Sequence, residues 1–173
     1  MKLLAHNRIL TALSLLVLLL PVAPAYACSG CDEPVIVDAT EAYDRSIRDE
    51  RDDVEGLWGI YIDWQPVQDA GKRYRMAVVK NNYGVYEGTD YLGVVTCDQP
   101  GCNRGEVKLL LQKTDDEKKF YATLLVTDFD GGYGIAVLGP HERTGREDSM
   151  LDLSALRYKG AQLTYGMVRV MGG

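Results

Sequence analysis

From Gly56 onward the chain reads as a succession of short, alternating apolar segments separated by turn residues, and this rhythm constrains the fold more than any other feature. Candidate strands are Leu57 to Trp64, Arg73 to Lys80, Tyr91 to Thr96, Gly105 to Gln112, Phe120 to Thr127, Tyr133 to Leu138, Met150 to Leu153 and Gln162 to Val170. Between them lie Asp69-Ala70-Gly71, Asn81-Asn82-Tyr83-Gly84, Asp98-Gln99-Pro100-Gly101, Asp115-Asp116-Glu117 and Asp130-Gly131-Gly132, rich in residues that tolerate tight turns. Connections this short leave no room for crossover helices, so neighbouring strands should pair antiparallel. The spacing predicts an all-β domain over residues 56–173: a single antiparallel up-and-down β-barrel of about eight strands, with a β-sandwich as the alternative. A meander without a long return connection favours closure, which also removes the exposed edges that invite aggregation.

A different period precedes the strands. From Asp38 onward, Ala39, Tyr43, Ile47 and Val54 mark a narrow apolar stripe, and Asp38 three residues before Glu41 makes a capping arrangement. Glu41 with Arg45 and Asp44 with Arg48 are i,i+4 pairs of the helpful polarity. Residues 38–55 therefore read as one short, charged helix ahead of the barrel, its outer face either solvated or an acidic docking surface. Residues 28–37, with Pro34, read as an extended tether.

Ahead of the tether, Lys2 and Arg8 supply a basic start and Ile9 to Leu20 is an almost unbroken apolar run. Pro21-Val22-Ala23-Pro24 breaks any helix, and Ala25-Tyr26-Ala27 offers small residues where a signal peptidase reads. Residues 1–27 thus read as a cleaved signal peptide, with an apolar core too short for a comfortable membrane span. Cleavage after Ala27 would leave Cys28 at the N-terminus and open a lipid anchor there, although Ala25 and Tyr26 fit a lipoprotein signal badly. The expected location is the bacterial periplasm or the cell exterior. All four cysteines follow the leader, Cys28 and Cys31 as C-x-x-C and Cys97 and Cys102 as C-x4-C. In an exported chain such an even set reads first as disulfides, local pairing being the simplest of the possible connectivities. The formal net charge of −6 grows more acidic once Lys2 and Arg8 leave, which disfavours nucleic acid and anionic membrane surfaces as partners.

Two stretches resemble the calycins, the superfamily of lipocalins and fatty-acid-binding proteins. Gly56-Leu57-Trp58 heads the first strand just after a helical segment, as the family's G-x-W does. Thr127-Asp128-Phe129-Asp130-Gly131-Gly132-Tyr133, followed by Gly134-Ile135-Ala136-Val137, is similar to the lipocalin T-D-Y segment. The likeness spans roughly residues 54–170, but Phe129 replaces the usual Tyr, the hairpin comes one strand early, and a strand stands where lipocalins carry a C-terminal helix. The resemblance implies a calycin-like barrel whose closed end is plugged by Trp58, with Arg169, or failing that Arg157, stacked upon it.

Catalysis finds no foothold. Beyond the leader His141 is the only histidine, in the polar turn Gly139-Pro140-His141-Glu142-Arg143 with no nucleophile elbow nearby. Asp128 and Asp130 before Gly131-Gly132 make half of a calcium loop, without a bidentate Glu at the required spacing. No catalytic residue, metal ligand or cofactor is therefore expected. Binding signals are better developed. Arg73 and Arg75 share one face of the second strand and could hold an anion if that face points inward; facing outward, they leave Tyr74, Met76 and Val78 to fill the core. Tyr83, Tyr86 and Tyr91 lie on a glycine-punctuated loop of the kind that contacts ligands at a barrel mouth.

Together these features lead to an expected exported, lipocalin-like protein that binds a small, partly apolar molecule through Arg73, Arg75, Tyr83, Tyr86 and Tyr91. The alternative is a non-catalytic structural or protein-interaction module of the envelope with a filled barrel. The lumen separates the two: a carrier needs a cavity of roughly a few hundred Å³, whereas a module is packed solid. Leu109, Leu111, Leu125, Ile135 and Val137 read as bulky residues of one face, with Gly134 and Ala136 on the other.

Overall fold

The computed structural model describes residues 34–62, 65–66, 75–97, 102–127, 130–140, 149–158, 160–162 and 165–170. The leader, Cys28, Cys31, Arg73, Asp128 and His141 lie outside the described residues. One helix, α1 (Ala39–Ser46), precedes β1 (Gly56–Ile62), β2 (Gln65–Pro66), β3 (Arg75–Lys80), β4 (Tyr91–Val95), β5 (Val107–Lys113), β6 (Lys119–Thr127), β7 (Asp130–Gly139), β8 (Met150–Asp152), β9 (Arg157–Tyr158), β10 (Ala161–Gln162) and β11 (Tyr165–Arg169). Eight of these strands close a barrel. β1, β3, β4, β5, β6, β7, β8 and β11 pair antiparallel in chain order, and β11 returns to pair with β1. Each strand expected from the alternation is present, its ends displaced by a few residues; β2 adds a short arm on β1, and β9 with β10 a small hairpin beside β7. Among the described residues no helix is long and apolar enough to cross a membrane.

The alternation places one side chain in two inside. Trp58, Met76, Val78, Tyr91, Leu109, Leu111, Phe120, Leu124, Leu138, Leu151 and Met167 form a single buried cluster contributed by every strand of the ring. β7 corrects one part of the sequence reading: Ala136 and Leu138 face the lumen, whereas Val137 is exposed outside. Hence Leu109 and Leu111 share no face with Val137.

β8 and β9 run one after the other along β7, Asp152 opposite Val137 and Arg157 opposite Tyr133, with an extra residue between them. Leu153 follows Leu151 into the lumen by alternation, the extra residue turns Leu156 inward as well, and the Leu156 N–H donates to the Leu153 carbonyl at 3.0 Å. A Cβ on Gly134 would lie 2.7 Å from the Ala155 carbonyl oxygen and 2.8 Å from Leu156 Cα, so only glycine lets the bulge pack this close.

A second cluster lies outside the barrel, where Ala77, Val79, Leu92, Val94, Val107 and Leu110 meet α1 and the β3–β4 loop. The helix is shorter than the charge pattern suggests. Asp38 caps it, accepting from the Thr40 and Glu41 N–H groups at 2.8 and 3.1 Å, and the Glu41–Arg45 pair forms at 3.9 Å. It ends at Ser46, because Arg51 donates to the Ser46 and Arg48 carbonyls at 3.3 and 2.9 Å and satisfies its C-terminus. The buried face is the small-residue row Ala39, Ala42 and Ser46; Tyr43 and Ile47, half of the expected stripe, are exposed. Small residues let the helix lie close on β3 and β4, which a row of large ones would not. A Cys97–Cys102 disulfide clips the β4–β5 connection. Beside it the tether pairs with the barrel, Val37 N–H to the Gly105 carbonyl and Val107 N–H to the Val35 carbonyl.

Candidate functional site

One end of the barrel is closed by residues 51–55, which lie across the ends of β3, β4, β5 and β11. Val54 is buried at the base of the lumen, and its carbonyl accepts from Trp58 Nε1 at 3.0 Å. Arg169 stands opposite Trp58 in the β1–β11 register and holds its guanidinium 4.6 Å from the ring centroid. It also donates from Nη1 to the Glu55 carbonyl at 2.7 Å and from Nη2 to the Asp53 carbonyl. Gly56, at φ +155°, leaves the space this requires: a Cβ there would lie 2.5 Å from Arg169 Nη1. The buried Glu55 carboxylate accepts from the Lys80 and Asp52 N–H groups at 2.9 and 3.0 Å.

Beside this plug a polar cleft of about 500 Å³ is lined by Asp52, Tyr91, Lys113, Asp116 and Lys119, among others. Several of its charges pair with one another. Tyr91 Oη donates to Asp52 Oδ2 at 2.5 Å, and Lys80 and Lys113 approach the same carboxylate at 3.2 and 3.5 Å. The Tyr91 hydrogen bond and the two ammonium groups hold the Asp52 carboxyl below its ordinary range. Burial, with Asp52 adding to it, pushes the Tyr91 phenol far upward, so it stays protonated and cannot serve as a base. Lys119 pairs with Asp116 at 2.8 Å and Lys118 with Asp53 at 3.3 Å. The cleft thus holds matched ion pairs that bind residues 51–55 to the barrel. Among the described residues no group of three His, Cys, Asp or Glu side chains could hold a metal ion.

The residues proposed from sequence as a ligand set are scattered. Arg75 is exposed at the start of β3, the barrel end opposite Tyr91, while Met76 and Val78 fill the lumen. Tyr83 and Tyr86 pack on the outer cluster beneath α1, with the Arg45 guanidinium 5.4 Å over the Tyr83 ring. Burial raises both phenols above their ordinary values. Of the set's described residues, Tyr91 alone reaches the interior, as part of the plug; Arg73 lies outside the described residues. Arg157 lies exposed on β9, beside Tyr133 rather than Trp58.

A groove that sequence reasoning missed crosses the outside of β5, β6 and β7. It measures about 340 Å³. Its floor is two rows of cross-strand neighbours, Leu110–Thr123–Tyr133 and Gln112–Tyr121–Ile135. Tyr121 and Tyr133 are 44% and 48% exposed, and Val137 extends the apolar surface along β7 at 37%. The available signal was Tyr133-Gly134-Ile135-Ala136-Val137-Leu138, apolar on both faces where a half-solvated strand should alternate. The chain matches no protein-family model, no curated protein and no solved structure.

Proposed function

We propose that this chain is an exported, non-catalytic interaction module on a calycin-type barrel, and that it recognises its partner with its outer surface rather than its lumen. One observation carries the reading: the space where a carrier would hold its ligand is occupied by Trp58, Tyr91, Leu109, Leu111, Leu151, Leu156 and Met167, each at most 1% exposed. Side chains buried this completely leave no volume for a guest among them unless they move, and moving them forfeits their burial. Calycin kinship is supported by Arg169 packed on Trp58 at the head of the first strand. Export is supported by the leader pattern together with the Cys97–Cys102 bond, which persists in an oxidising compartment.

The test is native mass spectrometry of unreduced protein recovered from an exporting host. The expected spectrum shows the processed, oxidised chain without a small-molecule adduct. A retained apolar molecule that is absent from an Ala136→Leu variant, whose larger side chain would compete for the lumen, would overturn the reading in favour of a carrier.

A further inference from the structure

We infer that the outer face of β6 and β7, bordered by β8 and β9, packs on the same face of a second copy of this chain, with Arg157 of each copy meeting Asp152 of the other. The inference rests on the outer-surface reading above and names the partner. It starts from two charges at the margin of the apolar groove. β8 and β9 lie end to end on one side of β7, so Asp152 stands beside Val137 and Arg157 beside Tyr133. Asp152 points away from the lumen, between the inward Leu151 and Leu153, and Arg157 is exposed. Four residues of β7 separate the two positions, about 13 Å along the strand. Among the described residues neither forms an ion pair; Asp152 Oδ1 accepts from the Ser154 N–H at 2.8 Å. The lysines of the closed end, by contrast, are matched with Asp52, Asp53 and Asp116.

Opposite charges at the two ends of one apolar row make this surface complementary to itself. Consider a two-fold axis lying in the interface, across the strands and over Ile135 and Tyr121. Rotation about it keeps each strand's place and reverses its direction. Ile135 and Tyr121 are opposite each other in the β6–β7 register, so both lie at the axis and meet their own counterparts. Tyr133 then faces the partner's Val137, and Thr123 faces the partner's Lys119, the β6 neighbour of Val137. Along the β8–β9 line Arg157 faces the partner's Asp152, and the same pair recurs beyond the axis. Packed sheets lie about 10 Å apart, a gap that an arginine and an aspartate reaching from opposite faces can span. These rows bring no two like charges together. A partner carrying one sign of charge would leave either Arg157 or Asp152 desolvated without a match, and a neutral partner would leave both. The exposed tyrosines and Val137 supply the apolar contact, in the aromatic and arginine-rich composition that interfaces favour. From β5 to the β8–β9 line the face is only about 14 Å wide, which puts the contact at the small end of specific interfaces. The dimer is therefore expected to exchange with monomer, with a dissociation constant on the order of micromolar.

The experiment is sedimentation velocity of the purified, oxidised protein from roughly 1 μM to 1 mM, a range that brackets the expected constant. An ionic strength of about 0.15 M screens the acidic net charge of the two copies beyond about 8 Å. The expected result is a concentration-dependent dimer. Each of Arg157→Glu and Asp152→Arg places like charges opposite each other at both contacts and should dimerise at least about tenfold more weakly. An equimolar mixture of the two variants restores both contacts: the introduced glutamate faces the introduced arginine, and the native Arg157 faces the native Asp152. The mixture should therefore dimerise within about threefold of the unaltered chain. Asp152→Arg also removes the acceptor of the Ser154 N–H, so recovery in the mixture, rather than loss in a single variant, carries the assignment. A monomer at every concentration would overturn the second copy as occupant and leave the outer-surface reading standing. A dimer that neither variant weakens would overturn this face, and variants that stay weak when mixed would overturn the two-fold pairing. A monomer with a small molecule retained in its lumen would overturn the outer-surface reading as well.

Discussion

Replacing Arg169 with alanine tests what holds the closed end of the barrel. The guanidinium donates to the carbonyls of Asp53 and Glu55 and lies 4.6 Å from the Trp58 ring centroid. Hydrogen bonds from a charged donor contribute about 1.5–3 kcal/mol each, and Arg169 is only partly buried, which places each of the two near the bottom of that range. The stacking adds about 0.5–1 kcal/mol. Part of the total is recovered when water reaches the freed carbonyls, so the expected loss is about 3 kcal/mol. Arg169→Lys keeps the charge but not the planar fork and should lose about half as much. Urea unfolding followed by tryptophan fluorescence reads the difference directly, provided the slope of the transition is unchanged. A double-mutant cycle with Trp58→Phe should return a coupling of at least about 0.5 kcal/mol. An Arg169→Ala protein within about 1 kcal/mol of wild type would refute the assignment and show that the plug is held by its carboxylates alone.

The same transition checks the remaining expectations. Gly134→Ala drives a methyl group into the backbone of the β8–β9 bulge and should cost about 2–3 kcal/mol, whereas Gly139→Ala, which meets nothing within 4 Å, should change little. Leu156→Ala empties part of the lumen and should cost about 2–5 kcal/mol, with a gain in uptake of a small apolar molecule such as benzene; an unaltered midpoint would contradict a filled barrel. In the folded state the Asp52 carboxyl titrates below its ordinary value of 3.8, so its contribution is complete above that value and is lost as pH falls further; Asp52→Asn should flatten the acid limb of a stability–pH curve. The Tyr91 phenol is raised instead, so its contribution is complete below the ordinary value of 10.0 and declines above it, and Tyr91→Phe should remove that alkaline loss.

The meander was legible because each strand carries its own signal. Alternating residues such as Tyr91, Gly93 and Val95 point one way and Leu92 and Val94 the other, and Asp or Asn with Gly marks each return. What alternation cannot give is which face lies inside when both are apolar. Leu92 and Val94 are as buried as Tyr91, but under α1 rather than in the lumen, and Val137 is exposed on a strand that reads as core throughout. The helix failed at its C-terminal half for a related reason. Tyr43, Ile47 and Val54 fit a helical stripe, yet Val54 is buried by the barrel end and the other two are exposed. The contacts of the closed end, such as Tyr91 on Asp52, join residues far apart in the chain and exist only once the ring closes. Their residue types are ordinary, so no local pattern marks them.

On the proposed reading, a filled lumen moves recognition to the outer surface. In an eight-stranded barrel the interior is just wide enough either to be filled by side chains or to hold one small ligand, so a few positions decide between the two. Here Leu153 points inward in step with Leu151, the extra residue between β8 and β9 turns Leu156 inward too, and Gly134 lets the Ala155–Leu156 backbone settle against β7. These leucines, with Trp58, Tyr91 and Phe120 from other strands, take the space a guest would need. The outer surface is then divided unequally. Over β3, β4 and the near side of β5 it is buried by α1 and the β3–β4 loop. Over β5, β6 and β7 the apolar surface continues past Leu110 without such cover from the described residues and ends in two tyrosines. A barrel stabilised only by its filled interior would gain solubility from charged residues at Tyr121, Tyr133 and Val137. Keeping large apolar side chains there exposes surface to water with no return in folding stability, and binding is the physical process that recovers it.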